Sequence, residues 1–156
     1  MFCIKCGGEI RADLPCTGCG MQYDEMMAGI HHEELIKLFE RISVLESNNE
    51  STEIEQSLLA CELANSHLLV SVRIDGGNLH FATTPDEDGN QFIMLFTDRD
   101  EYDKVGFKNN PVTVPFREYV RIVGPDCAGF VINVRTFPCC IPKEFLEKFF
   151  GDDLNV

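Results

Sequence analysis

The sequence LLVSVRIDGGNLHFATTPDEDGNQFIMLFT, at residues 68–97, contains the clearest strand pattern of the chain. Its three runs at 68–74, 79–84 and 91–97 are rich in β-branched and aromatic residues, which is typical of strands bounded by turns. Asp75-Gly-Gly-Asn78 fits a hairpin turn, and a second polar connection that contains Gly precedes the third run. The stretch therefore predicts three strands in an antiparallel meander.

Downstream of this stretch, helical and extended patterns alternate. The patterns predict a helix capped by Asp98, an extended segment over 111–114, a helix over 116–123 that follows Pro115, a strand over 128–134, and a last helix from Pro142 to Gly151. Strands that are first joined by hairpins and then mixed with helices favour an α+β fold with a mainly antiparallel sheet and flanking helices.

Two helices are predicted upstream of the strands. Residues 31–46 carry apolar side chains at helical spacing with charges opposite: Leu35, Leu38, Phe39, Ile42 and Leu45. Four of these also fit two coiled-coil heptads, so the stripe packs either on its own domain or on a second chain. After a polar break at 47–51, Thr52 and Glu55 predict a capping box for a helix to near Asn65.

Four cysteines stand in two matched pairs at the start of the chain: Cys3, Cys6, Cys16 and Cys19. Each pair is Cys-x-x-Cys followed by Gly, the spacing with which two thiolates grip one metal from a tight turn. The spacing favours one structural Zn2+ held by all four sulfurs, with a redox dithiol or a disulfide pair as alternatives. Zinc ligation also indicates a reducing compartment, in which thiols persist.

Composition limits the classes of function. The chain has 156 residues, 44% hydrophobic residues and a net charge of −13, with 13 basic against 26 acidic residues. Such a charge repels phosphate backbones, so no nucleic acid is expected as a partner. Apolar runs are too short for a membrane span, and Lys5, Glu9 and Arg11 replace the apolar start of a signal peptide. We therefore expect no membrane association and a cytoplasmic location.

Three segments are predicted: a zinc ribbon at 1–30, an amphipathic helix with its linker at 31–51, and an α+β domain at 52–156. Residues 1–24 have too few apolar groups to fold without metal. Residues 47–156 can bury a core of their own, so we expect this part to fold without the ribbon. In the last helix, we expect Phe150 to lie at the rim and to be free for a partner.

Two short motifs make the chain similar to a known family. The segments Phe92-Ile-Met-Leu-Phe-Thr-Asp98 and Gly129-Phe-Val-Ile-Asn133, in that order and followed by a closing helix, resemble the SseB protein N-terminal domain family. The resemblance covers roughly residues 52–150, and Val134 stands where the family often has Pro. It implies a bacterial cytoplasmic protein that acts as an adaptor rather than an enzyme, with no catalytic residues to carry over. The first 30 residues likewise resemble the zinc ribbons fused to many bacterial proteins.

Other candidate sites have competing interpretations. Asp86 and Asp88 imitate half of a calcium loop, but a solvated hairpin turn fits better. Cys139 and Cys140, before a predicted helix start, suit either a reactive thiolate or small buried hydrophobic side chains. The remaining candidates are Cys61 and Cys127, expected to be buried, and His31 and His32, which suit a solvated helix cap better than a metal ligand.

The sequence therefore predicts a non-catalytic binding or adaptor protein with a protein partner, as a monomer or weak homodimer. The alternative is a thiol-dependent enzyme or redox sensor that uses Cys139 or Cys140.

Overall fold

The computed structural model describes residues 1–123 and 127–154. The helices and strands are α1 (Tyr23–Ala28), α2 (Glu33–Ser47), α3 (Glu53–Asn65), β1 (His67–Val70), β2 (Val72–Asp75), β3 (Asn78–Phe81), β4 (Thr83–Pro85), β5 (Gln91–Phe96), α4 (Arg99–Asp103), β6 (Val112–Pro115), α5 (Phe116–Val123), β7 (Gly129–Ile132), β8 (Cys139–Pro142) and α6 (Lys143–Leu154). The last two residues of the predicted 52–156 domain lie outside the described residues.

The predicted fold class is confirmed: the chain is α+β, with a mainly antiparallel sheet and flanking helices. The main sheet has the strand order β6-β1-β5-β7-β8, and β4 pairs with β5 beside this path. Its single parallel pair within the described residues joins β5 to β7. Strands β2 and β3 form a separate two-stranded hairpin.

The predicted meander is right in its two hairpins but wrong in the place of its first strand. The first two runs break at Ser71 and Ala82, so each becomes two strands, and the two predicted turns join β2 to β3 and β4 to β5. Strand β1 instead lies between β5 and β6. The side chains of Leu68, Leu69 and Val70 are fully buried, which requires cover on both faces of β1, and a central place in the sheet gives it that cover.

Two apolar clusters cover the two faces of the main sheet. The helical cluster packs side chains of α2, α3, α5 and α6 against alternate residues of the strands, including Leu68, Leu95 and Phe130. The opposite face is covered by the N-terminal segment, which we define as residues 1–30, together with Tyr102 of α4 and the following Phe107. This N-terminal cluster consists of Cys3, Ile10, Cys16, Tyr23, Met26, Met27, Ile30, Leu69, Met94, Phe96, Tyr102 and Val131.

The apolar stripe of α2 packs within its own chain. Leu35 and Phe39 are buried in the helical cluster, and Leu38 and Ile42 pack against it. This placement agrees with the intramolecular interpretation of the heptad pattern.

The predicted capping box at the start of α3 is wrong. Thr52 occupies the cap position without a capping hydrogen bond, and its hydroxyl accepts from Gln56 at 2.9 Å. Glu55 instead accepts from Arg41 at 3.0 Å. The carboxylate is thus used to join α2 to α3. Asp98, by contrast, caps α4 as predicted, accepting from the N–H of Glu101.

The expected exposure of Phe150 is also wrong. The side chain is only 3% exposed, and its ring lies 5.2 Å from that of Phe116. A kink at Phe150 turns the chain inward, and α6 continues past Gly151 to Leu154. Behind the kink, Asp153 binds Arg121 at 2.8 Å, which holds α6 against α5.

None of the helices in the described part of the chain is both long and apolar enough to cross a membrane.

Candidate metal centre

The four N-terminal cysteines meet in space. Their Sγ atoms all lie within 4.8 Å of one another. The Sγ atoms of Cys3 and Cys19 are 3.8 Å apart, and those of Cys6 and Cys16 are 3.4 Å apart. These distances are well beyond a disulfide bond of about 2.05 Å. A tetrahedral site with metal–sulfur bonds of about 2.3 Å needs sulfurs about 3.8 Å apart, so the cluster matches a four-sulfur metal site.

The two cysteine pairs form turns of the same geometry. Gly7 donates its N–H to the carbonyl of Cys3, and Gly20 donates to that of Cys16, both at 2.9 Å. Both glycines have a φ of 75°, which a side chain would strain. The repeat of Cys-x-x-Cys-Gly in the sequence therefore becomes two equivalent turns that present their sulfurs to one point.

Two further glycines let the turns approach each other. A Cβ at Gly8 would lie 2.8 Å from the nitrogen of Gly18 and 2.9 Å from the Sγ of Cys16. A Cβ at Gly18 would lie 2.8 Å from the Sγ of Cys6. Their N–H groups also point at sulfur, with Gly8 donating to Cys6 at 3.5 Å and Gly18 to Cys16 at 3.4 Å. Both positions need glycine because the sulfurs occupy the space of a side chain.

The sulfurs share an electrostatic environment that suits a cation. Hydrogen bonds from the backbone N–H groups of Cys19 and Gly18 lower the pKa of the Cys16 thiol to about 6. Although the N–H of Gly8 favours the Cys6 thiolate, the neighbouring thiols of Cys16 and Cys19 raise its pKa to about 11. Without a cation, the cluster therefore does not hold four thiolates together at neutral pH. A divalent metal supplies the charge that does.

The two histidines that follow the second pair are not part of this cluster. His31 is exposed, and His32 stands at the cap position of α2 without capping it. The ring of His32 instead lies 3.1 Å from the carbonyl oxygen of His67. Burial lowers the pKa of both His32 and His67, which favours neutral imidazoles. The ring links the entry of α2 to the entry of β1.

Cys139 and Cys140 lie in strand β8, which ends at Pro142 directly before the predicted helix start, now α6. Burial raises the pKa of the Cys139 thiol to about 12 and also raises that of Cys140. A reactive cysteine needs the opposite shift. The expected burial is wrong for Cys61, which is exposed, and Cys127 is half-buried. Cys140 is exposed as well.

The acidic segment before β5 is a hairpin turn, as predicted. Asp86 accepts from the N–H groups of Asp88 and Asn90 and from the side-chain amide of Asn90. These hydrogen bonds, which also lower the pKa of Asp86, use its carboxylate within the turn.

The comparison with known families identifies most of the remaining chain. The SseB protein N-terminal domain matches residues 43–148, about two thirds of the sequence.

The chain belongs to the SseB N-terminal domain family.

No curated protein and no solved structure gives a significant match to it. The matched range begins inside α2 and leaves out the N-terminal segment, so all four clustered cysteines lie outside the SseB domain.

The two SseB motifs of the sequence meet at the ends of the parallel strands β5 and β7. The side-chain oxygen of Asn133 accepts from the N–H of Thr97 at 3.0 Å, and its amide donates to the Thr97 hydroxyl at 2.9 Å. Both residues are buried, and Asn133 has a φ of 55°. This SseB contact joins two strands and leaves no polar atom open to a substrate, so we assign it a structural role.

Sequence reasoning missed that the N-terminal segment covers one face of the SseB sheet. The apolar residues Met26, Met27 and Ile30, together with Tyr23, were the available signal, since a segment held only by metal does not need them. Tyr23 donates its hydroxyl hydrogen to the carbonyl of Pro111 and so fixes the segment beside β6.

Proposed function

We propose that this chain is a non-catalytic adaptor protein whose metal centre holds one structural zinc ion. The observation that carries the proposal is the closed set of four cysteine sulfurs. Four sulfur ligands complete a tetrahedral shell, so neither water nor a substrate would find an open position on the metal. Tetrahedral thiolate sites suit zinc or iron, and zinc is the ion expected in a role without redox chemistry.

The adaptor role is supported by apolar side chains that the N-terminal segment exposes. Phe2 is 70% exposed, Leu14 55% and Ile4 42%. Phe2 and Ile4 flank the buried Cys3 in sequence, and both face solvent. Large exposed apolar side chains on a rigid support are typical of protein-binding surfaces. We call the surface formed by Phe2, Ile4 and Leu14 the ribbon face, and we propose that it binds a protein partner.

The remaining features agree with a bacterial cytoplasmic protein. Free cysteines outside the cluster fit a reducing compartment, and the charge of −13 disfavours nucleic acid. The raised pKa values of Cys139 and Cys140 disfavour a thiol-dependent enzyme. The α2 stripe is used within its own chain, which favours a monomer.

Metal analysis of the purified protein tests the first part. We expect one zinc ion per chain, and loss of that ion in Cys16→Ser. Cys61→Ser is the matched control, because Cys61 is exposed and outside the cluster. Iron in place of zinc, or full zinc content in Cys16→Ser, would contradict the assignment.

Affinity capture with the tagged full chain tests the second part. We expect proteins that bind the wild type to be lost from a Phe2→Ser, Leu14→Ser double variant. They should be retained by Ile54→Ser, since Ile54 is 73% exposed but lies on α3. Equal losses in both variants would show that the ribbon face is not the binding surface.

A further inference from the structure

The outer edge of strand β8 borders an open groove, whose lining residues are different from those of the ribbon face. β8 is last in the sheet order, and among the described strands only β7 pairs with it. The groove has a volume of about 580 Å³. Helices α2, α3 and α6 contribute apolar side chains to it, including Phe39, Leu59 and Phe145.

The register of β8 leaves the backbone of Cys140 directed away from the sheet. The N–H of Lys143 donates to the carbonyl of Ala128 at 3.2 Å, which fixes where the ladder begins. Hydrogen-bonded and non-hydrogen-bonded pairs then alternate, so Ile141 bonds to Phe130 and the next residue, Cys140, does not bond to β7. The N–H and C=O of Cys140 therefore face the open edge, where another extended chain can pair with them.

The edge and its groove carry a negative charge. Burial raises the pKa of the Cys140 thiol, and the nearby carboxylates of Asp86 and Glu144 raise it further. Glu46 and Glu144 both line the groove, and Lys148 is the single cation among the described lining residues. Because carboxylates outnumber cations here, the charge complements a positively charged partner.

We propose that β8 and this groove bind an extended, positively charged segment of a partner protein. The segment adds a strand beside Cys140 and places an apolar side chain against half-buried Phe145. The proposal rests on the adaptor function proposed above and names the partner of a second surface. A strand fits better than a helix because the unpaired groups are backbone groups, and Pro142, which has no N–H, keeps the new ladder short.

Nuclear magnetic resonance titration of the metal-bound full chain tests the proposal. The probes are two heptapeptides in which valine alternates with lysine or with glutamate. We expect the lysine peptide to shift the signals of residues 139–142 and to slow hydrogen exchange at the Cys140 amide about tenfold. The glutamate peptide should do neither. Equal binding of both peptides, or shifts confined to other residues, would overturn the proposal.

Two variants at one position isolate the backbone contact. Cys140→Pro removes the N–H that faces the groove, whereas Cys140→Val keeps it. We expect the affinity for the lysine peptide to fall about tenfold in the first variant and to stay unchanged in the second. Equal affinities in both folded variants would overturn the strand pairing.

A charge variant decides the matter if Cys140→Pro does not fold. In Glu46→Gln, Glu144→Gln, affinity for the lysine peptide at low ionic strength should fall about tenfold, and unchanged affinity would overturn the proposal. The two proposals can fail separately. If the lysine peptide does not bind, the proposal for β8 and its groove is wrong. If the Phe2→Ser, Leu14→Ser variant captures the same proteins as the wild type, the proposal for the ribbon face is wrong.

Discussion

Removal of the metal should lower the stability of the whole chain and not only that of the N-terminal segment. Residues 1–24 have few apolar groups of their own, so we expect the N-terminal segment to depend on the proposed metal to keep its two turns together. The structure places this segment on the sheet, where Met26 and Met27 are each 1% exposed. When the cysteine cluster opens, the sheet loses the part of its cover that this segment supplies.

The size of the effect follows from the side chains that become exposed. Leu69, Met94, Phe96 and Val131 belong to the sheet and are at most 9% exposed in the N-terminal cluster. Phe96 keeps its contacts with the rings of Tyr102 and Phe107, so the estimate uses the other three. Exposure of a fully buried side chain of this kind costs roughly 1.5–3 kcal/mol, so the three together account for roughly 4.5–9 kcal/mol at most. This upper limit is comparable with the whole stability of a typical domain, about 5–15 kcal/mol.

Urea denaturation followed by circular dichroism, with and without excess chelator, measures the effect. We expect the transition to stay cooperative but to move to lower urea, with binding of a hydrophobic dye as the sheet face opens. Added zinc should restore the original midpoint, and Cys61→Ser should behave as wild type. An unchanged midpoint after complete metal removal would refute the reasoning, because the sheet would then not need its cover.

Three further predictions concern the SseB domain. Phe150→Ala should lower the free energy of unfolding by about 3–5 kcal/mol, and half-exposed Phe149→Ala by less; equal losses in urea denaturation would place Phe150 outside the core. Gly129→Ala should cost more than about 2 kcal/mol in the same assay, because its φ is 141° and a Cβ would lie 2.3 Å from the carbonyl oxygen of Ile141; wild-type stability would contradict this. Burial lowers the pKa of His32 below its ordinary 6.5. Below pH 6.5 the unfolded chain therefore binds a proton at this residue more readily than the folded chain does. The contribution of neutral His32 to folding stability is complete above that pH and is lost as the pH falls toward the folded pKa. His32→Gln should reduce this loss as the pH falls through about 6.5, measured by urea denaturation at a series of pH values; a pH dependence equal to that of the wild type would contradict the assignment.

Local patterns predicted the individual elements well. The apolar stripe of α2, the Asp98 cap and the turn at Asp75-Gly-Gly-Asn78 depend on neighbours within a few residues. The cysteine cluster was predictable for the same reason, since each Cys-x-x-Cys-Gly turn is closed by its own hydrogen bonds. In these cases the information lies close together in the chain.

Pairing between distant segments was not predictable in this way. A run such as 68–74 has strand character throughout, yet it breaks at Ser71, and its two halves join different sheets. Strand propensity does not specify a partner, because burial against neighbours determines which strands pair. The same holds for Glu55. Its spacing from Thr52 predicted a capping hydrogen bond, but in the folded chain its carboxylate pairs with Arg41 of α2.

The amino-acid sequence by itself determined the four-sulfur cluster, the α+β class and the helices from α2 onward, because these follow from spacing and period along the chain. Only the tertiary structure decided that the N-terminal segment covers the sheet, that Phe150 turns into the core and that Cys140 faces an open edge. Each of these depends on which surfaces meet after the chain folds. Contacts between residues far apart in sequence set that outcome, and no local pattern encodes them.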